Sequence, residues 1–111
     1  LQDFYNQKLH HSQRTVMKNA AHVVVRQAVD DYEAVNGEIA LRFPVHITYT
    51  VYFKDERIRD YDNIATKYYT DGLKVCGVLP DDNSKYVPDG TTRVRLDRDN
   101  PRVEIEIEEM I

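Results

Sequence analysis

Cysteine, tryptophan and long apolar runs are what this sequence has least of. Cys76 is the one cysteine among 111 residues, and tryptophan is absent. Because one cysteine cannot form a disulfide within the chain, we expect a reducing compartment, the cytoplasm. No apolar run approaches the roughly 18 residues of a membrane-spanning helix, and no stretch resembles a signal peptide. The sequence therefore predicts a soluble protein without a membrane partner.

An excess of positive charge is absent as well. The formal net charge is −4 at pH 7 and the isoelectric point is about 5.5. Proteins that bind DNA through bulk positive charge cluster Lys and Arg on one surface, so the composition argues against that class. The acidic total, however, includes aspartates whose charge a bound cation would partly neutralise. At this length we expect one domain, residues 1–111, with a single modest core.

Two pairs of aspartates lie in the most informative stretch, residues 57–82. Asp60 and Asp62 are two positions apart, whereas Asp81 and Asp82 are adjacent. Side chains two positions apart on an extended segment point to the same side, so the first pair can offer oxygens to one cation. Mg²⁺ is commonly held by one or two carboxylates together with phosphate oxygens, and such an ion can assist phosphodiester hydrolysis. If the two pairs converge, a divalent cation is the most economical reason.

The same residues have an alternative interpretation in which they only shape the chain. Asp62 or Asn63 would cap the N-terminus of a helix, and Gly77 would end that helix at its C′ position. Residues 81–83 would then form an ordinary polar turn after Pro80. These roles are compatible with metal binding, because a capping carboxylate can also face a cation.

Two segments have the apolar spacing of helices. Residues 12–35 predict a first helix, with Ser12 as a possible N-cap. A second helix is expected over residues 63–76. The apolar stripe of the first helix is assigned to Val16, Ala20, Val23, Val24 and Ala28.

Three further segments alternate between apolar and polar residues, as strands do. Residues 45–54 alternate most clearly, which predicts a strand with one buried face. Residues 91–96 and 102–108 alternate too, and residues 97–101 have the composition of a turn. We expect these two strands to pair antiparallel, with Arg93 and Arg95 facing Glu104 and Glu106. The whole pattern predicts an α+β fold: a small mixed or antiparallel sheet with two main helices packed on it.

Basic residues on the first helix form a candidate track for a DNA backbone. Residues four apart lie on one face of a helix, and this spacing joins Arg14, Lys18, His22 and Arg26. The alternative is an ordinary solvated helix face.

A second basic group, Arg57 and Arg59, immediately precedes the first aspartate pair. These arginines are placed either to contact phosphate near a scissile bond or to pair with Asp55 and Glu56.

The order of the motifs resembles that of a known nuclease family. Arg-Asp-Tyr-Asp-Asn-Ile at 59–64 is followed by a lysine, by Asp-Gly-Leu at 71–73, by Gly-Val-Leu at 77–79 and by Asp-Asp at 81–82. This succession, with the ending at 100–107, resembles the RusA-type Holliday junction resolvases, in particular their phage and Gram-positive branch. The resemblance covers most of the chain and is densest over residues 57–87.

The resemblance implies a function and a site. The family's metal-binding carboxylates correspond to Asp60, Asp62 and Asp82, with Asp81 beside them, and its catalytic lysine corresponds to Lys67. Three residues separate Asn63 from this lysine, where the family usually has two. The implied activity is that of a Mg²⁺-dependent endodeoxyribonuclease, with Mn²⁺ as a possible substitute, that nicks four-way DNA junctions symmetrically in recombination and repair. A homodimer is also implied, because a two-fold dimer presents two identical sites to a two-fold junction.

Two alternatives remain at the level of the sequence. The chain could be a branched-DNA-binding protein of the same fold without catalysis, or an interaction domain whose aspartates only cap a helix and form a turn.

The position of the site is also open. A helix over 63–76 is roughly 21 Å long, so Asp82 reaches Asp62 in the same chain only if residues 77–82 run back along it. Otherwise the site is shared across a dimer.

Overall fold

Two helices and three strands make up the part of the chain that the structure describes. The computed structural model describes residues 11–56 and 66–110, and their side chains from residue 18 onward. The elements in chain order are α1 (His11–Asn36), β1 (Val45–Phe53), α2 (Thr66–Val75), β2 (Asp89–Leu96) and β3 (Arg102–Glu109). The predicted α+β class, with two helices and a small mixed sheet, is confirmed. Neither described helix is long and apolar enough to cross a membrane.

Strand β1 is the centre of the sheet. It pairs in parallel with β2 on one side and antiparallel with β3 on the other, so the order is β2-β1-β3. Its odd-numbered side chains are all buried, as the alternation predicts: Val45, Ile47, Tyr49, Val51 and Phe53. The first three form the main core with residues of both helices, whereas Val51 and Phe53 form a smaller cluster with Val103 of β3.

The expected pairing of β2 with β3 is wrong, because β1 lies between them. Thr50 is opposite Arg93 on one side and opposite Glu104 on the other. Arginines and glutamates of the outer strands are therefore separated by the width of β1. The segment between β2 and β3 passes the end of β1, where the Asp97 amide donates to the Phe53 carbonyl at 2.8 Å. Residues 97–101 therefore cross from one edge of the sheet to the other, although their composition is that of a hairpin turn.

Helix α1 has the predicted bounds within one residue, but its buried face was assigned wrongly. The side chains that enter the core are Ala21, Val25 and Val29, whereas Val23 is 69% exposed. The buried stripe is thus rotated by one residue, about 100° on a helix. Ser12 follows His11 within the described part of the helix, so it is not the N-cap.

Helix α2 packs directly against α1. Its buried residues are Tyr69, Gly72 and Leu73. A β-carbon built on Gly72 would lie 3.1 Å from carbons of Val25, so the absence of a side chain sets how closely the two helices approach. The helix is described from Thr66, and the predicted residues 63–65 lie outside the described part of the chain.

Candidate functional site

The end of α2 reverses the direction of the chain, and this reversal builds the site. Gly77 has a positive φ of 80°, a conformation that glycine adopts without strain. Its amide donates to the Lys74 carbonyl and the Val78 amide donates to the Leu73 carbonyl, each at 3.0 Å. These two bonds are the Schellman pattern, in which C′ and C″ amides satisfy the last helical carbonyls. The sequence prediction that Gly77 ends the helix is confirmed.

The segment after Gly77 is anchored in the core at its start. Val78 and Leu79 are buried, Leu79 to 1% exposure. The Leu79 amide also reaches back to the Leu73 carbonyl, at 3.3 Å. The chain therefore turns back against α2 as far as Lys74, and the next residues emerge on the helix surface.

Lys74 joins the two adjacent aspartates. Its Nζ lies 3.5 Å from Oδ1 of Asp81 and 3.5 Å from Oδ1 of Asp82. The carboxylate of Asp82 is the main reason that the pKa of Lys74 is raised; desolvation opposes it, and the carboxylate of Asp81 adds a smaller rise. All three side chains are partly exposed, so solvent screens these ion pairs. The arrangement nevertheless fixes two carboxylates on the same side of α2.

Asp81 has a second role in the turn. Its Oδ1 accepts the Asp82 amide at 2.7 Å and its Oδ2 accepts the Asn83 side-chain amide at 3.2 Å. The hydrogen bond from the Asp82 backbone is the main reason that the pKa of Asp81 is lowered, and Lys74 adds to it. Asp81 thus accepts hydrogen bonds from the two residues that follow it, whereas the Asp82 carboxylate pairs with Lys74. The turn itself lies at 84–86, later than the predicted 81–83.

The far side of this loop is fastened to the start of β1. The Tyr86 carbonyl accepts the Val45 amide at 2.8 Å, and the Tyr86 ring meets the Phe43 ring edge-to-face with centroids 5.4 Å apart. Asn83 closes the turn, because its carbonyl accepts the Tyr86 amide at 3.0 Å. The loop that carries the two aspartates is therefore held at both ends.

Tyr49 of β1 lies beneath the site. Its hydroxyl is hydrogen-bonded to Thr70 Oγ1 on α2, and this Oγ1 donates in turn to the Thr66 carbonyl at 3.3 Å. Burial raises the pKa of Tyr49 to about 12, the bond to Thr70 lowers it, and the carboxylates of Asp71 and Asp82 add to the rise. The charges of both carboxylates therefore act on the Tyr49 hydroxyl.

The structure describes only part of the predicted acidic site. Asp60, Asp62, Arg57 and Arg59 lie outside the described residues, so their roles stay predictions. Lys67 is exposed, and its Nζ lies 5.3 Å from the centroid of the Tyr68 ring. Within the described part of the chain, the lysine that reaches the aspartates is Lys74 rather than Lys67.

The basic line on α1 is described from Lys18 onward. Lys18 and Arg26 are exposed, as a DNA-contacting face requires. His22 between them is half-buried, and its Nε2 has no hydrogen-bond partner in the described part of the chain. The side chain of Arg14 lies outside the described residues. The line is therefore interrupted at His22.

Sequence reasoning missed Lys74 and Tyr49. The signal for Lys74 was its position seven residues after Lys67, two helical turns on, which places both lysines on one face of α2. No sequence signal marked Tyr49, because its place in an alternating strand identified it only as a core residue.

The carboxylates present fit a magnesium ion. Mg²⁺ is usually bound by one or two carboxylates and keeps several waters, and Asp81 and Asp82 offer such oxygens on a solvated surface. In residues 11–56 and 66–110, no three His, Cys, Asp or Glu side chains are grouped as metal ligands. A third carboxylate would therefore come from the stretch that holds Asp60 and Asp62.

No protein-family model matches the chain, and no curated protein matches it significantly.

Proposed function

We propose that the chain is a Mg²⁺-dependent endodeoxyribonuclease of the RusA type that resolves Holliday junctions by paired symmetric nicks. The reaction belongs to DNA recombination and repair, and Mn²⁺ can replace Mg²⁺. The basis is the ordered set of motifs in residues 57–87, together with the geometry at the end of α2.

The observation that carries the proposal is the return of the chain after Gly77. A site within one chain requires residues 77–82 to run back along α2, since Asp82 is otherwise too far from the helix start. The contact of Asp82 with Lys74, in the last turn of α2, supports the first part of such a return. A polar turn that pointed away from the helix would not make this contact.

Each residue of the proposed site has one task. Asp60, Asp62 and Asp82 hold the metal, and Asp81 holds the turn that presents Asp82. A divalent cation there supplies Lewis acidity and lowers the pKa of a coordinated water. Lys67 contacts the phosphate of the scissile nucleotide, where a fixed positive charge offsets the charge that develops in the transition state.

DNA contacts away from the site are assigned to arginines and lysines. Arg57 and Arg59 contact phosphate near the scissile bond, and Arg14, Lys18 and Arg26 follow the backbone along α1. Two copies related by a two-fold axis act on opposed strands of the junction. We place this homodimer in the cytoplasm.

The test is cleavage of a labelled synthetic four-way junction beside linear duplex of the same sequence, with Mg²⁺, with Mn²⁺ and with EDTA. We expect symmetric nicks in the junction only, and only with metal. Nicking of the duplex at the same rate would contradict junction selectivity. Nicking in EDTA would contradict metal dependence.

A second candidate is a branched-DNA-binding protein without catalysis. It is favoured by the position of Lys67, whose ammonium lies against Tyr68 while Lys74 pairs with the aspartates. Junction binding without any nicking under Mg²⁺ or Mn²⁺ would support this candidate. A protein that neither binds junctions nor responds to metal would instead be an interaction domain.

A further inference from the structure

Lys74 is positioned where a cation between two carboxylates would be. Its Nζ is equidistant, at 3.5 Å, from one oxygen of Asp81 and one oxygen of Asp82. Two adjacent carboxylates repel one another, and a positive charge between them removes most of that repulsion. One ammonium group therefore does for this pair what a bound divalent ion would do.

A purely helical explanation of Lys74 is insufficient. A lysine in the last turn of a helix is favourable because of the negative end of the helix dipole. Here, however, the amides of Gly77 and Val78 already satisfy carbonyls of that turn. The lysine side chain instead extends to the two carboxylates, which the reversal at Gly77 brings back to α2.

We propose that Lys74 is a resident counter-ion of the acidic site, which holds Asp81 and Asp82 together without metal and competes with a divalent cation for them. The inference rests on the proposed function and adds a control of metal occupancy to it. Metal binding requires the Lys74 ammonium to leave the carboxylates, which its exposed position on α2 permits. Lys74 is thus a positioning residue, distinct from the phosphate contact assigned to Lys67.

The sign of the effect separates this role from a structural one. If Lys74 only maintained the loop, its removal would loosen the carboxylates and weaken metal binding. If it competes with metal, its removal abolishes the two ion pairs that a divalent ion must displace. Solvent screens ion pairs at exposed sites, so we expect a moderate effect, roughly tenfold tighter binding.

The experiment is a titration of the protein with Mn²⁺, in which the electron paramagnetic resonance signal reports the free ion. Four proteins are compared: wild type, Lys74→Met, Lys74→Arg and Lys85→Met. The last is the matched control, because it makes the same substitution at an exposed lysine that has no role in the proposed site and whose Nζ lies 5.4 Å from the centroid of the Tyr86 ring. Circular dichroism of each protein verifies the fold.

The proposal predicts that Lys74→Met binds Mn²⁺ roughly tenfold more tightly than wild type, and that Lys74→Arg and Lys85→Met bind it within about twofold of wild type. If wild type binds Mn²⁺ and Lys74→Met binds it no more tightly, the counter-ion role is overturned and the proposed function stays intact. Equal tightening in Lys85→Met would also overturn the counter-ion role, since the effect would then be one of net charge. Absence of Mn²⁺ binding in all four proteins would overturn the proposed function and this inference together.

Discussion

Gly72 of α2 lies so close to Val25 of α1 that a side chain at position 72 would crowd the valine. A β-carbon at Gly72 would lie 3.1 Å from both Cβ and Cγ2 of Val25. This contact determines where α2 lies on α1, and α2 carries Lys74, Thr70 and the reversal that leads to Asp82. A packing contact between the two helices thus helps to set the position of the proposed site.

We therefore expect Gly72→Val to reduce the free energy of unfolding by about 1–3 kcal/mol, the usual result of overpacking a core. The measurement is urea denaturation followed by circular dichroism. Gly72→Ala is the informative companion, because alanine favours a helix by roughly 1 kcal/mol over glycine while its β-carbon crowds Val25. In a Val25→Ala background that crowding is removed, and Gly72→Ala should stabilise. Equal effects of Gly72→Ala in both backgrounds would show that the contact is not limiting.

Tyr49 should make the stability of the protein depend on pH in the alkaline range. Its folded pKa of about 12 is higher than the ordinary value of 10.0, so the folded state retains a proton that the unfolded state releases. The stabilisation is complete below pH 10 and is lost as the pH rises through the folded pKa. It amounts to about 2–3 kcal/mol. When wild type and Tyr49→Phe are denatured at pH 8 to 12, the free energy of unfolding should fall more steeply with pH in wild type. Parallel pH profiles of the two proteins would contradict the raised pKa of Tyr49.

Asp97 should make the stability of the protein depend on pH in the acid range, where stability should fall as the pH falls. Its carboxylate accepts the Arg102 guanidinium at 2.7 Å and the amides of Asp99 and Asn100 at 3.2 Å each. The Arg102 contact is the first cause of a lowered pKa. This contribution is present above the unfolded value of 3.8 and is lost as pH falls through the folded pKa.

The comparison is Asp97→Asn against Asp99→Asn, an equal charge change in the same crossover between β2 and β3. Asp97→Asn should lower the midpoint of thermal unfolding at pH 7, and its difference from wild type should shrink toward pH 2. Asp99→Asn should have little effect at either pH. A deficit of Asp97→Asn that is the same at pH 7 and pH 2 would show that the carboxylate charge is not involved.

The individual helices and strands were predictable from the sequence, whereas the pairing of the strands in the sheet was not. Alternation in residues 45–54 identifies β1 and its buried face, because side chains of a strand point to two faces in turn. The same alternation in β2 and β3 says nothing about which strand lies between them. Residues 97–101 have turn composition either way, so only the contact of Asp97 with Phe53 distinguishes a crossover from a hairpin.

In the candidate site, too, the sequence predicted the local features but not the contacts between distant residues. Gly77 as helix terminator follows from local chemistry and is confirmed, whereas the turn expected at 81–83 lies at 84–86. The pairing of Lys74 with Asp82 depends on the path of the chain after the reversal, which the residue types alone do not determine. The buried stripe of α1 was misassigned because valines and alanines occur on two adjacent faces of that helix. Only packing against α2 and β1 selects between those faces.

The basic residues of α1 make a prediction about salt. If Lys18 and Arg26 contact DNA phosphates, Lys18→Gln and Arg26→Gln should each weaken junction binding and reduce the slope of log affinity against log salt by about 1. Arg42→Gln is the control, since its guanidinium pairs with Glu109 at 3.4 Å. Fluorescence anisotropy from 50 to 200 mM salt measures the slopes. Unchanged slopes in the α1 variants would make that face an ordinary solvated surface.

The most direct measurement is the rate of nicking of a four-way junction by wild type, Asp82→Asn and Asp99→Asn in Mg²⁺. The account predicts that Asp99→Asn nicks as wild type does. Asp82→Asn should lose roughly 100-fold or more, because even outer-shell partners of a metal are worth about 10- to 100-fold. Full activity of Asp82→Asn would contradict the central claim that the chain returning along α2 presents a metal ligand.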